Sequence, residues 1–261
     1  MSQALAERAG AVAEVTTDLG RIALPAHDEG LLPHLREHGH WRPEEAYAMR
    51  RLVPRGAIVL EAGAHVGYQT LLLSRLVGPR GRVIAAEAGP QNAALLRANL
   101  ERAEAANVAV VEAALGEAEG QQTLWTSERD TRDHHVGVNL NGRGGVQVEV
   151  VSGDVLVGSG AVDLVKIAAG GAEYKVVAGL SETIARDRPV LLVDFWPEAV
   201  ERLGEAPARV LGGYRGLGFG ERWLGLPGPA AGADAEAVVA AVRGAAGGRA
   251  GLLLIPGTPP P

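Results

Sequence analysis

A short apolar run that ends in a glycine-rich turn constrains the fold more than any other feature of the sequence. Residues 57–60 are small or apolar, as expected for a buried strand, and the turn that follows contains Gly63, Ala64 and Gly67. A helical pattern begins at once and continues over residues 68–77 with leucines on one face. Strand, glycine-rich turn and helix in this order are the nucleotide-binding unit of doubly wound α/β folds, because glycine lets the backbone approach a ligand closely.

An acidic residue at the end of the next predicted strand strengthens this interpretation. Residues 82–86 are mainly apolar and lead directly into Glu87. An acid about 20 residues beyond the glycines is placed to hold a ribose, because a carboxylate accepts hydrogen bonds from two neighbouring hydroxyls. Two alternatives stay open at this point, namely a tight turn without a ligand and a solvated loop acid at Glu87. The pattern alone is also compatible with NAD, FAD, other nucleotides and S-adenosylmethionine (SAM).

Length, charge and cysteine content restrict the class of protein. The 261 residues are enough for one α/β domain with a full core. The net charge of −6 gives no reason to expect a nucleic-acid or anionic membrane partner. The sequence has no cysteine, so disulfides and thiolate metal sites are excluded. The first ten residues include acids and lack a long apolar run, and we therefore expect a cytoplasmic enzyme without a signal peptide.

The region before the glycine-rich turn is predicted to cap the core. We expect a helix over residues 4–14, a strand or hairpin over 16–24, and two short helices over 31–35 and 43–52. His38, His40 and Trp41 cluster here, and they either contact a substrate or simply pack against the core.

Beyond Glu87, the pattern alternates between predicted strands and helices. A helix from Pro90 carries leucines on one face. The predicted later strands are 108–111, 162–167, 189–195, 214–224 and 251–255, and the predicted later helices are 172–184, 197–211 and 235–242. Residues 121–126 and 146–151 alternate like an antiparallel pair, and the polar segment 127–145 between them contains Asp133, His134 and His135. We interpret this segment as an active-site lid, with disorder as the alternative, and the tail 257–261 as disordered.

The form of the turn distinguishes among the candidate cofactors. It reads E-A-G-A-H-V-G, which is not G-x-G-x-x-G but resembles the E/D-x-G-x-x-x-G turn of SAM-dependent methyltransferases. The similarity extends over roughly residues 39–197, where several motifs occur in the order of the FkbM-type methyltransferases. These motifs are G-H-W-R-P-E-E, V-L-E-A-G-A-H-V-G-Y-Q-T, G-P-R-G-R-V-I-A-A-E-A-G-P, L-L-R-A-N-L, V-V-E-A-A-L-G, V-D-L-V-K-I and R-P-V-L-L-V-D.

The resemblance implies both a fold and a cofactor site. The expected fold is α/β, a doubly wound, Rossmann-like, seven-stranded mixed sheet of the class I methyltransferase type. A helical cap over residues 1–56 precedes the SAM-binding domain, 57–256, which carries a β-hairpin insertion. The residues expected to contact SAM are Glu61, Gly63, Ala64, His65, Gly67, Tyr68, Glu87, Ala88, Glu112, Ala113, Ala114 and Lys166.

The sequence departs from the family pattern on the side where a substrate would bind. FkbM-type sequences read K-I-D-x-E-G-A-E after the fourth strand, whereas this chain has alanine at 168 and glycine at 170. An acid is also missing from the segment Ser152-Gly153-Asp154, and the family's G-A-N turn has His65 in place of asparagine. Because a hard cation needs several oxygen ligands in one place, we predict no metal site and metal-independent chemistry.

The remaining candidates for proton transfer lie in the lid and at two strand ends. Asp194, His134 and His135 are the predicted bases, and Asp133 and Glu173 are further candidates. Lys166 is predicted to orient the substrate, with an ion pair to Glu173 as the alternative.

The resemblance implies a small-molecule O-methyltransferase that tailors a secondary metabolite or a sugar. Two alternatives are a SAM-binding protein that no longer methylates and acts as a partner, and a SAM-dependent enzyme with non-methylating or N-methylating chemistry. The expected partner is a small-molecule substrate, and a homodimer is left open.

Overall fold

A seven-stranded mixed sheet forms the centre of the molecule. The computed structural model describes residues 11–127, 129–131, 134–136, 139, 142, 144–226 and 233–257. The strands of the central sheet are β3 (Ile58–Ala62), β4 (Arg82–Ala86), β5 (Val108–Val111), β10 (Leu164–Ile167), β11 (Val190–Phe195), β12 (Gly220–Leu224) and β13 (Ala250–Ile255). Their spatial order is β12-β13-β11-β10-β3-β4-β5, and β13 runs antiparallel to both of its neighbours. The predicted doubly wound, seven-stranded mixed sheet is therefore confirmed.

Helices cover both faces of this sheet, so its strands are apolar on both sides. They are α1 (Leu31–His38), α2 (Pro43–Leu52), α3 (Tyr68–Val77), α4 (Pro90–Arg102), α5 (Gly153–Val157), α6 (Glu173–Ala178), α7 (Ser181–Asp187), α8 (Pro197–Arg202), α9 (Pro207–Gly216) and α10 (Ala235–Arg243). Successive residues of a strand point to opposite faces, and accordingly Val59 packs into one core with α3 and α4, whereas Leu60 packs into the other with α6 and α9. Parallel strands with both faces covered are expected to be continuously apolar, as these are.

The N-terminal region contains a β-hairpin as well as helices. Strands β1 (Val12–Thr17) and β2 (Gly20–Pro25) pair antiparallel, which confirms the hairpin alternative for residues 16–24. The helix predicted over residues 4–14 is wrong for residues 12–14, because Val12 and the residues after it pair with β2; residues 4–10 lie outside the described part of the chain. The helices α1 and α2 were expected. Hairpin residues such as Ile22 pack in the same hydrophobic core as α3. The division between a cap and a SAM-binding domain at residue 56 stays a prediction.

A second, smaller sheet is inserted between β5 and β10. Strands β6 (Ala114–Gly116), β7 (Gly120–Trp125), β8 (His135–Val136) and β9 (Gly145–Ser152) have the spatial order β6-β9-β7-β8. The pairing of β7 with β9 is the predicted hairpin insertion. The pairing of β8 with β7 fixes His135 opposite Trp125.

Three predicted elements have different limits. The helix predicted over 172–184 is two helices, since the first ends at Ala178 and the second begins at Ser181. Between them, an added Cβ at Gly179 would lie 1.9 Å from the carbonyl oxygen of Gly116. The helix predicted over 197–211 is likewise split into α8 and α9. Residues 214–216 belong to α9, so the strand predicted from residue 214 begins only at Gly220.

Two further points concern the C-terminal tail and the length of the helices. The predicted disordered tail lies, from residue 258 onward, outside the described residues. Within the described residues, no helix combines the length and the apolar character needed to cross a bilayer.

Candidate functional site

The glycine-rich turn packs so tightly that Gly63 cannot be replaced without movement of the backbone. Gly63 has φ +78°, and a Cβ there would lie 1.9 Å from the carbonyl oxygen of Ala168 on the neighbouring strand connection. Gly67 has φ +92°, and a Cβ there would lie 2.5 Å from Cδ1 of Leu96. His65, between them, also has a positive φ of 54°. The turn is thus held in a conformation that L-residues rarely adopt, next to an open cavity.

Glu87 stands at the carboxyl end of β4 with its carboxylate oriented by the turn. Oε2 accepts a hydrogen bond from the backbone N–H of His65 at 2.7 Å, and Oε1 accepts one from Gly89 at 2.8 Å. Burial raises the pKa of this carboxyl, and the donors Gly89 and His65 offset part of that rise. The side chain of Asn92 also donates to this carboxylate, which has about four lone pairs, so a ligand hydroxyl still finds an acceptor here.

Glu61 and Lys166 form a buried ion pair beneath the turn. They are register neighbours on β3 and β10, and Lys166 Nζ lies 3.2 Å from Glu61 Oε1. The hydroxyl of Thr70 donates to Glu61 Oε2 at 2.6 Å, and Lys166 also donates to the carbonyl of Gly63 at 3.4 Å. The expected alternative of a Lys166–Glu173 ion pair is therefore wrong. Lys166 supports the turn from below while still reaching the cavity.

The cavity itself lies at the carboxyl ends of the central strands and encloses about 1170 Å³ of empty space, its open mouth included. It is bounded by the glycine-rich turn, by β6 and β8 of the second sheet, and by the residues around Arg42. The predicted residues that line it are Gly63, Ala64, His65, Tyr68, Glu87, Ala88, Ala113, Ala114, His134, His135, Lys166 and Asp194. Glu61, Gly67 and Glu112 are not among its lining residues; Glu112 instead pairs with Arg97 at 2.7 Å.

An arginine pair at the cavity wall was not predicted. Arg42 contacts Asp194 at 3.0 Å and Glu45 at 2.6 Å, and Arg249 lies 3.5 Å from Asp194. Asp194, which the sequence suggested as a base, is thus an ion-pair partner of two guanidinium groups. Arg42 lies within the motif G-H-W-R-P-E-E, so a signal for it was present, whereas Arg249 is distant in sequence from every motif.

The two predicted histidines line the cavity, whereas Glu173 is not among its lining residues. His134 and His135 line the cavity, and both approach Gly170, where an added Cβ would lie 3.0 Å from the His134 carbonyl oxygen and 3.4 Å from the His135 Cβ. Glu173 is buried below the cavity floor, where it accepts hydrogen bonds from the N–H groups of Ala169 and Gly171. Burial, together with the nearby charge of Asp194, raises the pKa of Glu173 to about 7.

The side chains that surround the cavity supply few oxygen ligands for a metal. Across the described residues, no group of three or more histidine, aspartate or glutamate side chains is arranged to hold an ion. The candidate Asp133 lies outside the described part of the chain. The role of segment 127–145 as a lid also stays a prediction, although His134, His135 and Thr131 from this segment do line the cavity.

Comparison with known proteins identifies a family. The methyltransferase FkbM domain matches residues 61–211, which is more than half of the chain. Over 56 residues the chain is 41% identical to the protein-L-isoaspartate O-methyltransferase of Methanothrix thermoacetophila, a match that covers 22% of this chain and 27% of that protein.

Solved structures of two methyltransferases are similar to this chain to different extents. A putative rRNA methylase from Clostridium thermocellum superimposes with a TM-score of 0.50 at 12% identity, covering 82% of this chain and 95% of that one. The methyltransferase FkbM from Methylobacillus flagellatus has a TM-score of 0.47 at 15% identity, covering 64% of this chain and 40% of that one. The chain therefore spans about a quarter of the curated relative and two fifths of that FkbM structure.

Proposed function

Because this chain belongs to the FkbM methyltransferase family, with SAM as its cofactor, we propose that it transfers a methyl group to a hydroxyl of a small molecule. The proposal depends chiefly on one observation. The carboxylate of Glu87 and the glycine-rich turn line the same cavity as two histidines and two arginines. These are His134, His135, Arg42 and Arg249. We therefore infer that a cofactor and a second, smaller molecule bind side by side in this cavity.

The residues on the cofactor side fit SAM. Glu87 would accept a ribose hydroxyl, and the glycine-rich turn lines the cavity beside it with Gly63, Ala64 and His65. Ala113 and Ala114, small residues after β5, would border the adenine. SAM supplies an electrophilic methyl group, so the protein mainly has to align the acceptor oxygen with that methyl group.

A hydroxyl acceptor also needs a group that takes its proton. His134 and His135 line the cavity, and histidine titrates in the useful range. Asp194 is the second candidate, but its carboxylate is already paired with Arg42 and Arg249. We therefore favour a histidine as the base and assign Asp194 to the binding of a polar substrate group, together with Arg42.

The substrate is proposed to be a small secondary metabolite or sugar, and the reaction to be independent of metal. The support for the second point is the presence of Ala168 and Gly170 where the family has acids, so that the described residues lining the cavity at the end of β10 include no carboxylate. A divalent cation prefers about six oxygen ligands, which this wall does not offer.

The proposal is tested by turnover with candidate hydroxylated substrates, with and without EDTA. We expect activity to persist in EDTA, and His134→Ala or His135→Ala to lower turnover by about 10²-fold or more with little change in SAM affinity. Gln121→Ala, on β7 of the same sheet and not among the cavity-lining residues, serves as the matched control. Activity that EDTA abolishes and Mg²⁺ restores would contradict the metal-independent mechanism.

The lost acids also favour a second candidate function, a SAM-binding protein whose methyl-transfer chemistry is altered or absent. Tight SAM binding without methylation of any hydroxylated acceptor would support it. Methylation of an amine in the same assays would instead support the N-methylating alternative.

A further inference from the structure

Asp28 is a buried carboxylate that ties the entrance of α1 to the segment 129–131. It is 2% exposed and accepts hydrogen bonds on both oxygens. Oδ1 accepts from the backbone N–H groups of Gly30, Leu31 and Leu32 at the start of α1. Oδ2 accepts from both the backbone N–H of Thr131, at 3.0 Å, and its hydroxyl, at 2.5 Å. Although burial raises the pKa of Asp28, these donors together hold it below its ordinary value, so the group is ionised at neutral pH.

The hydroxyl of Thr131 passes this constraint on to His65. Thr131 has one hydroxyl hydrogen, which it donates to Asp28, and its oxygen lies 2.7 Å from Nε2 of His65. The hydroxyl oxygen therefore accepts a hydrogen bond, and Nε2 of His65 carries the proton. The imidazole ring of His65 is thus held in one orientation and one protonation state at Nε2.

His65 in turn fixes the carboxylate that is placed to hold the ribose. Its backbone N–H donates to Glu87 Oε2 at 2.7 Å, from a residue whose φ of 54° is unfavourable for a side chain with a Cβ. Asn92 forms a second bridge, since its amide contacts the carbonyl of Thr131 at 3.5 Å and also hydrogen-bonds Glu87. Thr131 and Glu87 are therefore connected twice, through His65 and through Asn92.

The segment around Asp28 and the segment 129–131 also contact each other at the surface. The backbone N–H of Glu29 donates to the carbonyl of Arg129 at 2.6 Å, and their side chains form an ion pair at 2.8 Å. Leu31, Thr131 and His65 all line the cavity. Asp28 thus holds two residues of the cavity wall, Leu31 and Thr131, by hydrogen bonds.

Building on the proposed function, we propose that Asp28 is a positioning residue for the cofactor, acting through Thr131 and His65 to fix Glu87 and to retain segment 129–131 over the bound nucleoside. Cofactor release then requires these hydrogen bonds to open. Asp28 touches neither cofactor nor substrate, so its effect is on cofactor retention rather than on methyl transfer itself.

Two substitutions separate this role from helix capping. Asp28→Asn keeps one oxygen for the N–H groups of α1 but replaces the other by a donor, which cannot accept from Thr131. Thr131→Val removes only the hydroxyl and leaves the shape of the side chain. Thr131→Ser restores the hydroxyl and should restore wild-type behaviour. Asp234→Asn is the matched control, because Asp234 also caps a helix, by accepting from Glu236 and Ala237, but does not line the cavity.

The first readout is the dissociation rate of S-adenosylhomocysteine, measured by stopped-flow competition on the full chain. We expect Asp28→Asn and Thr131→Val each to raise this rate by about tenfold, the double variant to raise it no further, and Thr131→Ser and Asp234→Asn to leave it within twofold. Rates within twofold of wild type for both Asp28→Asn and Thr131→Val would overturn the positioning role.

The second readout needs no cofactor. Hydrogen exchange of the His65 amide in the free protein should accelerate about tenfold in Thr131→Val and should be unchanged in Thr131→Ser. Unchanged exchange in Thr131→Val would overturn the connection from Thr131 to His65. A wild-type protein that binds neither adenosyl ligand would overturn the cofactor role of Asp28 together with the proposed function, whereas the exchange result would still judge the connection by itself.

Discussion

Among single residues, Glu87 shows how a buried acid is prepared for a ligand. Its oxygens accept hydrogen bonds from two backbone N–H groups and from Asn92, and burial raises the pKa of its carboxyl, so a ribose hydroxyl would supply a further donor that stabilises its charge. We predict that Glu87→Ala weakens SAM binding by about 1–3 kcal/mol, or roughly 5- to 150-fold in Kd. Isothermal titration calorimetry measures this. Glu112→Ala, at a residue that does not line the cavity, should bind SAM as wild type does; an equal loss in both variants would argue against a specific ribose contact.

Gly63 allows the cost of a side chain to be separated from the cost of its backbone conformation. Gly63→Ala would combine a φ of +78° with a contact of 1.9 Å to the Ala168 carbonyl, whereas Gly39→Ala would have a φ of +70° and no atom within 4 Å. We expect Gly39→Ala to lower the free energy of unfolding by about 1 kcal/mol and Gly63→Ala to lower it by at least 3 kcal/mol. Urea denaturation at 25 °C gives both values. Equal losses would mean that the turn relaxes around the new methyl group.

At the level of elements, the loop between β10 and α6 depends on a buried glutamate. Glu173 accepts hydrogen bonds from Ala169 and Gly171, and its pKa is raised to about 7 from an ordinary value of 4.5. The folded state therefore binds this proton more tightly than the unfolded state does. The resulting stabilisation is fully present below pH 4.5 and is lost as the pH rises through about 7.

Glu173→Gln isolates this contribution, because the amide oxygen still accepts from the loop and does not titrate. Between pH 4.5 and 8 we expect the wild type to lose about 3 kcal/mol more stability than the variant. Chemical denaturation at several pH values provides the comparison. Glu182→Gln, at an exposed residue of α7, should retain the wild-type pH dependence; identical curves for wild type and Glu173→Gln would show that Glu173 titrates normally.

For the whole molecule, ligand binding should appear as added stability. A ligand that binds only the folded state at a hundred times its Kd contributes about 2.7 kcal/mol, which corresponds to roughly 5–10 °C in Tm for a domain of this size. We predict such a shift with SAM and with S-adenosylhomocysteine, and none with NAD. Differential scanning fluorimetry measures it, with the Glu87→Ala variant as control. A shift with NAD alone would contradict the cofactor assignment.

The sequence by itself determined the architecture, since hydrophobic pattern and glycine placement are local properties. The apolar run before Gly63, the acid at Glu87 and the order of motifs were sufficient to predict the doubly wound sheet and the family, and most of the residues predicted to contact SAM line the cavity. The limits of several elements were misplaced. The close contact between Gly179 and the backbone of Gly116, 63 positions earlier, is a feature that no local pattern records.

Only the tertiary structure decided how the charged side chains are paired. Lys166 is joined to Glu61 rather than to Glu173, because β10 and β3 are register neighbours. Asp194 meets Arg42 and Arg249, and Asp28 reaches Thr131 across 103 positions, because the fold brings these segments together. An isolated acid in a sequence is compatible with a base, an ion pair or a structural acceptor. Which of these it becomes depends on the burial and the partners that packing provides.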